Sequence, residues 1–160
     1  MPVGCKCRFK DNLQKSNAIN RLLRTSGDKI PPDEILNAVS LEKLDKWELT
    51  CNCKKPNKVI SGVRYEQNDW YLRTLKNFAT DKYYQNKGLG GTVVKRAIDK
   101  AMQDKVNVLA ADITVTNKRS RHIFEKEGFV PVSTFCWKKG GPPVDIFHFV
   151  LYPPKNGTCQ

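Results

Sequence analysis

Residues 85–91 read QNKGLGG, Gln85 to Gly91: three glycines within four residues, a lysine just before them and TVVKRAIDKAM just after. The segment ahead of it, WYLRTLKNFAT from Trp70 to Thr80, carries aromatic residues and threonines and reads as a strand. In the segment behind it, Val93, Val94, Ala97, Ile98, Ala101 and Met102 fall at helical spacing and mark a buried side. A strand therefore runs into a glycine turn and a helix leaves it. The first amides of a helix have no internal partner, and the helix dipole favours negative charge there. Glycine lets backbone approach a ligand closely and adopt positive φ. The turn suits an anion, or it is an ordinary strand-to-helix connection; composition alone leaves both open.

Two nucleotide patterns fit it poorly. A Walker loop has its lysine after the glycines, and Lys87 stands before them. A dinucleotide fingerprint wants a third glycine where Val93 stands. Outward from the turn, CKCRFK (Cys5 to Lys10) alternates as a half-buried strand. DNLQKSNAINRLLRTSG gives a helical stripe of Leu13, Ala18, Ile19, Leu22 and Leu23, stopped at Gly27. PPDEILNAVSLEKL, residues 31–44, opens with prolines and acids, as a second helix does. KWELTCNCK is a strand, KPNK a hairpin turn, and KVISGVRYEQ a strand. VNVLAADITVT is a strand, RSRHIFEKEG a short helix ended by Gly128, and the tail a strand, a GGPP turn and a strand. The order β-α-α-β-β-β-α-β-α-β-β predicts an α/β protein, an α+β mixed sheet flanked by helices. One domain over residues 1–160 is expected, with residues 155–160 a flexible tail.

A third pattern fits the glycine turn. Gln85-Asn86-Lys87-Gly88-Leu89-Gly90 resembles the Q/R-x-x-G-x-G/A loop of the GCN5-related N-acetyltransferase (GNAT) superfamily. Asn117-Lys118-Arg119-Ser120-Arg121-His122-Ile123-Phe124-Glu125-Lys126-Glu127-Gly128-Phe129 is similar to the same family's N-x-x-[AS]-x-x-[LIF]-[YF]-x-x-x-G-F segment, and the element order is the family's too. The resemblance covers about Trp70 to Phe129; before that it is topological. It implies a GNAT-like acyl-CoA N-acyltransferase fold, acetyl-CoA as co-substrate and no metal. It also implies that Phe78, Ala79 and Thr80 pair with pantetheine, that Gln85, Asn86, Lys87, Gly88, Leu89, Gly90 and Gly91 wrap the pyrophosphate, and that Asn117, Ser120, Arg121 and Phe124 line the far side. Asn117 is a good helix cap with or without a ligand.

The implied reaction is direct attack of a primary amine on a thioester. An amine with a pKa near 10.4 is almost wholly protonated at neutral pH, so a proton must be removed. Many members of the family have a tyrosine as general acid where this chain has Phe124, which has no proton to give. Tyr83 and Tyr84 belong to the loop. Asp112, in the apolar run AADITVT, is the candidate base, since apolar surroundings raise a carboxylate pKa; it also reads as a structural acid. Glu66 is a weaker candidate.

The acceptor is not specified: a small molecule, a protein amine or an aminoacyl group each suits the chemistry. A net charge of +12 attracts polyanions, so a nucleic-acid-directed enzyme, such as a toxin acetylating aminoacyl-tRNA, is one alternative. A non-catalytic acyl-CoA-binding module is another, supported by the missing tyrosine. A homodimer is left open. With 39% hydrophobic and 28% charged residues, no apolar run near the roughly 20 residues of a membrane span, and no secretory pattern in MPVGCKCRFK, a cytoplasmic protein is expected. Of six cysteines, Cys5, Cys7, Cys51 and Cys53 form two C-x-C pairs. They suit buried packing in a reducing compartment, a four-thiolate metal site or disulfides; packing is the expectation. Cys136 and His148 are expected to face each other across the last hairpin as packed residues, no third group completing a nucleophile.

Overall fold

The computed structural model describes residues 7–25 and 46–159. Helix α1 (Asn12–Thr25) begins in a reciprocal cap: the Asp11 carboxylate accepts from the Gln14 amide at 2.7 Å, and the Gln14 side chain accepts from the Lys10 amide at 3.1 Å. Ala18, Ile19, Leu22 and Leu23 are buried, as their spacing predicts, but Leu13 is exposed because the helix meets the sheet only beyond its first turn. Strands β1 (Lys46–Asn52), β2 (Lys55–Gln67) and β3 (Leu72–Thr80) form an antiparallel meander. Helix α2 (Leu89–Gln103) returns the chain to β4 (Val108–Thr114), which lies parallel to β3. Helix α3 (Lys118–Lys126) leads into β5 (Val130–Phe135) and β6 (Val144–Val150), and β6 inserts between β4 and β5. The six-stranded mixed sheet has the order β1-β2-β3-β4-β6-β5.

Alternation along the strands divides the core in two. On one face Val93, Val94, Ala97 and Ala101 of α2 pack on Val63, Tyr65, Leu75, Leu109, Ala111 and Phe147. Phe124, Phe129 and the partly buried Phe149 close that face in successive ring contacts. On the other face α1 covers Trp47, Val59 and Ala79. Each fully buried Val, Leu or Phe contributes roughly 1.5–3 kcal/mol, so both helices are held chiefly by these contacts.

Several expectations change. The first hairpin turns at Cys53–Lys54, and KPNK belongs to β2. Met102, expected on the buried side of α2, is exposed at the helix end. Residues 7–9 carry no strand; the rest of that expected strand reaches outside the described residues, as does the expected helix over residues 31–44. Cys7 and Cys51 are not packed thiols: they form a disulfide with Cα atoms 5.2 Å apart, and Cys53 is disulfide-bonded as well. Cys51 is buried at the sheet edge, where the segment ahead of α1 passes close enough for a bridge. Cys5 lies outside the described residues. Cys136 sits past the β5 end, while His148 pairs with Val130, so the two do not face each other. No helix among the described residues is long and apolar enough to cross a membrane. Lys155 and Thr158 exchange backbone hydrogen bonds at 3.0 Å and close a tight turn.

Candidate active site

Two features of the sheet open a cleft at its centre. The β3–β4 pairing runs from Leu72↔Val108 to Leu75↔Ala111 and then stops, while β4 continues along β6 through Asp112, Ile113 and Thr114. At the same level β3 bulges: Gly62 pairs with Ala79 and Arg64 with Lys76, so Asn77 and Phe78 stand against one residue of β2. Asn77 takes φ 51°, in the left-handed region. The bulge turns Phe78 toward α2 and α3, where its ring meets Phe124 edge-on at 5.5 Å. The resulting gap, about 200 Å³, is lined by Lys76, Asn77, Phe78, Asp112, Thr114, Asn117, Ser120 and Phe124, among others.

Beyond β3 the chain makes a short 3₁₀ turn over Lys82–Tyr84, capped by Asp81, whose carboxylate accepts from the Tyr83 amide at 3.0 Å. Asn86 (φ 60°) and Gly88 (φ 76°) then reverse the chain into α2. The first bond closing this helix is Thr92 N–H to Gly88 O, 3.1 Å, which leaves the amides of Leu89, Gly90 and Gly91 without an intrahelical acceptor. Gly90 is required by space: a Cβ there would lie 2.8 Å from Phe78 Cζ and 3.0 Å from Ile123 Cδ1. Its lack of a side chain lets α2 start against the Phe78 ring and α3. In front of these amides lies a cavity of about 520 Å³ whose walls include Thr80, Gln85 to Gly91 without Lys87, Lys95, Arg119, His122 and Lys126. The Gln85 amide donates to the Thr80 carbonyl at 3.2 Å, and its oxygen accepts from Arg119. A row of free amides at the positive end of a helix, with Lys95, Arg119 and Lys126 around it, has the chemistry that suits a phosphate, although Glu127 shares the lining and pairs with Lys95 at 3.8 Å.

The fold that carries this loop is shared with proteins of known structure. The model of the Acetyltransferase (GNAT) family matches residues 18–129. The chain belongs to the GNAT acetyltransferase family. Solved structures share the GNAT fold at low identity. The ribosomal-protein-S18-alanine N-acetyltransferase from Escherichia coli is 19% identical with a TM-score of 0.71, over 91% of this chain and 93% of its own. Ard1 from Thermoplasma volcanium is 11% identical with a TM-score of 0.75, over 91% and 97%. A GNAT acetyltransferase from Elizabethkingia anophelis with acetyl-CoA bound is 19% identical with a TM-score of 0.63, over 79% and 94%. At these identities the likeness is one of fold. No curated protein matches the sequence.

Within the GNAT frame the residues singled out from the sequence separate into groups. Phe78, Asp112, Asn117, Ser120 and Phe124 meet at the gap, and Thr80, Gln85, Asn86, Gly88, Leu89, Gly90 and Gly91 line the cradle. Asn117 caps α3, its side chain accepting from the Ser120 amide at 3.1 Å. Lys87 leans over the Tyr84 ring, 5.5 Å from its centre, outside the lining of both cavities. Two side chains point elsewhere. Ala79 is buried against α1 and lines neither cavity. Arg121 faces β6, where it binds Asp145 and lies over the Phe147 ring, and it also donates to Glu125 one turn on in α3. Asp112 is exposed, so it lacks the apolar enclosure that its sequence neighbours suggest. Glu66 is held by Lys76 at 3.1 Å and Arg64 at 3.6 Å, away from the gap lining. Neither Tyr83 nor Tyr84 lines the gap; the Tyr84 hydroxyl accepts from the Asn52 amide at 2.8 Å.

Sequence reasoning missed the cationic wall of the cradle. Arg119, His122 and Lys126 stand at i, i+3 and i+7, one face of α3, and the same spacing rule that marks buried stripes would have found them. Asn77 was missed because a bulge has no signature in a strand of this composition.

Proposed function

We propose that this protein is an acetyl-CoA-dependent N-acetyltransferase, one catalytic domain that transfers acetyl to a primary amine by direct attack. The observation that carries the reading is the adjacency of cradle and gap: free amides at the start of α2 abut the Phe78 ring, which lines an opened strand pair that ends beside a carboxylate. Acetyl-CoA would supply the thioester and a thiol leaving group. In this reading the amides of Leu89, Gly90 and Gly91 face the pyrophosphate, with Lys95, Arg119 and Lys126 offsetting its charge. Phe78, Asn77, Asn117 and Ser120 border the path of the pantetheine arm.

Asp112 takes the proton from the attacking ammonium, directly or through one water, and its exposure gives that proton a route to solvent. No proton donor is assigned to the leaving group. Phe78 and Phe124 have none to offer, and a thiol with a pKa near 8.5 departs as the thiolate and is protonated by water. The acceptor class is an amine, on a small molecule, a protein terminus or side chain, or an aminoacyl group. The test is thiol release from acetyl-CoA over a panel of amines. Release that depends on an amine, and the matching acetyl-amine detected by mass, support the reading; acetyl-CoA binding without release from any amine would reduce the protein to a binding module.

A further inference from the structure

The rim of the cradle on the β1–β2 side carries charge that the acetyl-transfer reading does not use. Two segments meet there: the hairpin Cys51 to Lys58 and the turn Asp81 to Lys87. The bond from Asn52 to the Tyr84 hydroxyl holds them together. Lys58, Lys82 and Lys87 gather there on the Tyr83 and Tyr84 rings, Lys54 and Lys55 are exposed in the adjoining hairpin, and none of the five has a carboxylate partner among the described residues. The only acid in either segment, Asp81, is buried and occupied as the cap of the 3₁₀ turn. Lys58 and Lys87, from different elements, both lie over the Tyr84 ring, at 4.9 and 5.5 Å from its centre. Lys82 lies over Tyr83 at 4.8 Å, and Tyr83 is 73% exposed. Ammonium groups gathered this way repel one another, and an anion laid among them removes that cost.

We propose that this surface docks a single-stranded nucleic acid, its phosphates on the lysines and a base stacked on Tyr83. Phosphate tracking by lysines and base stacking on an exposed aromatic ring are the two elements of sequence-tolerant single-strand binding. A membrane surface fits less well: among the described residues Tyr83 is the only large apolar side chain exposed on the strip, with no aliphatic face beside it to enter lipid. The strip shares the Tyr84 ring with the cradle wall, but Lys55, Lys58, Lys82 and Tyr83 line neither cavity, so docking is tested apart from the acetyl-transfer reading.

The probe is a fluorescein-labelled RNA of roughly 10 nucleotides, read by anisotropy at several salt concentrations without acetyl-CoA. The wild type binds, with affinity falling steeply as salt rises. The triple variant Lys55→Ala/Lys58→Ala/Lys82→Ala binds at least about tenfold more weakly, with the slope of log K against log salt reduced by about 2. Its melting temperature and its affinity for acetyl-CoA stay as in the wild type. Tyr83→Ala also weakens binding about tenfold, and Tyr83→Phe restores it. The proposal is overturned if the triple variant binds RNA as the wild type does, or if the wild type binds phosphatidylserine vesicles and not RNA. It is overturned equally if the triple variant loses the distinction between CoA and 3′-dephospho-CoA, which would assign the lysines to the nucleotide of the co-substrate.

Discussion

Gly90 and Asp112 concentrate the argument at single positions. The Cβ of any other residue at 90 would collide with Phe78 and Ile123, side chains packed into the core rather than free to swing away. Gly90→Ala should therefore cost about 1–3 kcal/mol in chemical denaturation, as overpacking does. Gly88→Ala has open space around it but a φ of 76°, and should cost roughly 1–2 kcal/mol from backbone strain alone. Asp112→Asn keeps shape and removes the base: turnover should fall at least about a hundredfold with the KM for acetyl-CoA unchanged, in steady-state thiol release. Equal turnover would remove Asp112 from the mechanism. The glycines were legible in the sequence because a positive φ and a close approach each demand that residue. Asp112 stands out in the sequence as a candidate base, but its exposure does not, since the environment of a strand carboxylate depends on which neighbours the sheet supplies.

At the scale of elements, α3 is fixed to the sheet by an ion pair as well as by Phe124. Arg121 donates to Asp145, whose other oxygen accepts from the Thr134 hydroxyl at 2.6 Å. The Thr134 hydrogen bond first, and the Arg121 guanidinium with it, hold Asp145 below its ordinary pKa near 3.8, against the opposing effect of burial. A depressed carboxylate pKa stabilises the folded state above the unfolded value and loses that contribution as pH falls through the folded one. Asp145→Asn should thus lower the melting temperature at neutral pH, and the gap between variant and wild type should close as pH drops below about 4. Thermal unfolding across pH checks this, and a gap independent of pH would contradict it. The Cys7–Cys51 disulfide spans 44 residues of sequence and ties the segment before α1 to the sheet edge. Cys51→Ser should cost about 2–4 kcal/mol relative to the oxidised wild type, and a reductant should erase the difference. Alternation placed both cysteines on buried faces, but spacing cannot say which sulfur meets which. The C-x-C pairs therefore read first as packing, with metal ligands or a bridge left open, and the Cys7–Cys51 bridge overturns that expectation.

Over the whole molecule, the features legible in advance are local ones. The helix after the glycine turn, the meander before it and the capped helix at Asn117 each follow from periodicity and capping within one segment. What escaped the sequence arises between segments: the β3 bulge, the cationic face that α3 turns to the loop, and the lysines gathered around Tyr84. The net charge of +12 announced a polyanion but not where it sits. Acceptor choice is least legible, since the walls that would select it come from several segments at once. The account stands on the cradle and gap forming one binding path, and a ligand held only by the folded state must raise its stability, by about 2.7 kcal/mol at a hundredfold excess over Kd. The direct measurement is the melting temperature with and without millimolar acetyl-CoA, in the wild type and in Gly90→Glu, whose charged side chain is forced against Phe78 and Ile123 and displaces the free amides at the start of α2. A rise of several degrees in the wild type that is absent from the folded variant is the expected result. An unchanged wild-type melting temperature at saturating acetyl-CoA, or an equal rise in Gly90→Glu, would contradict the account.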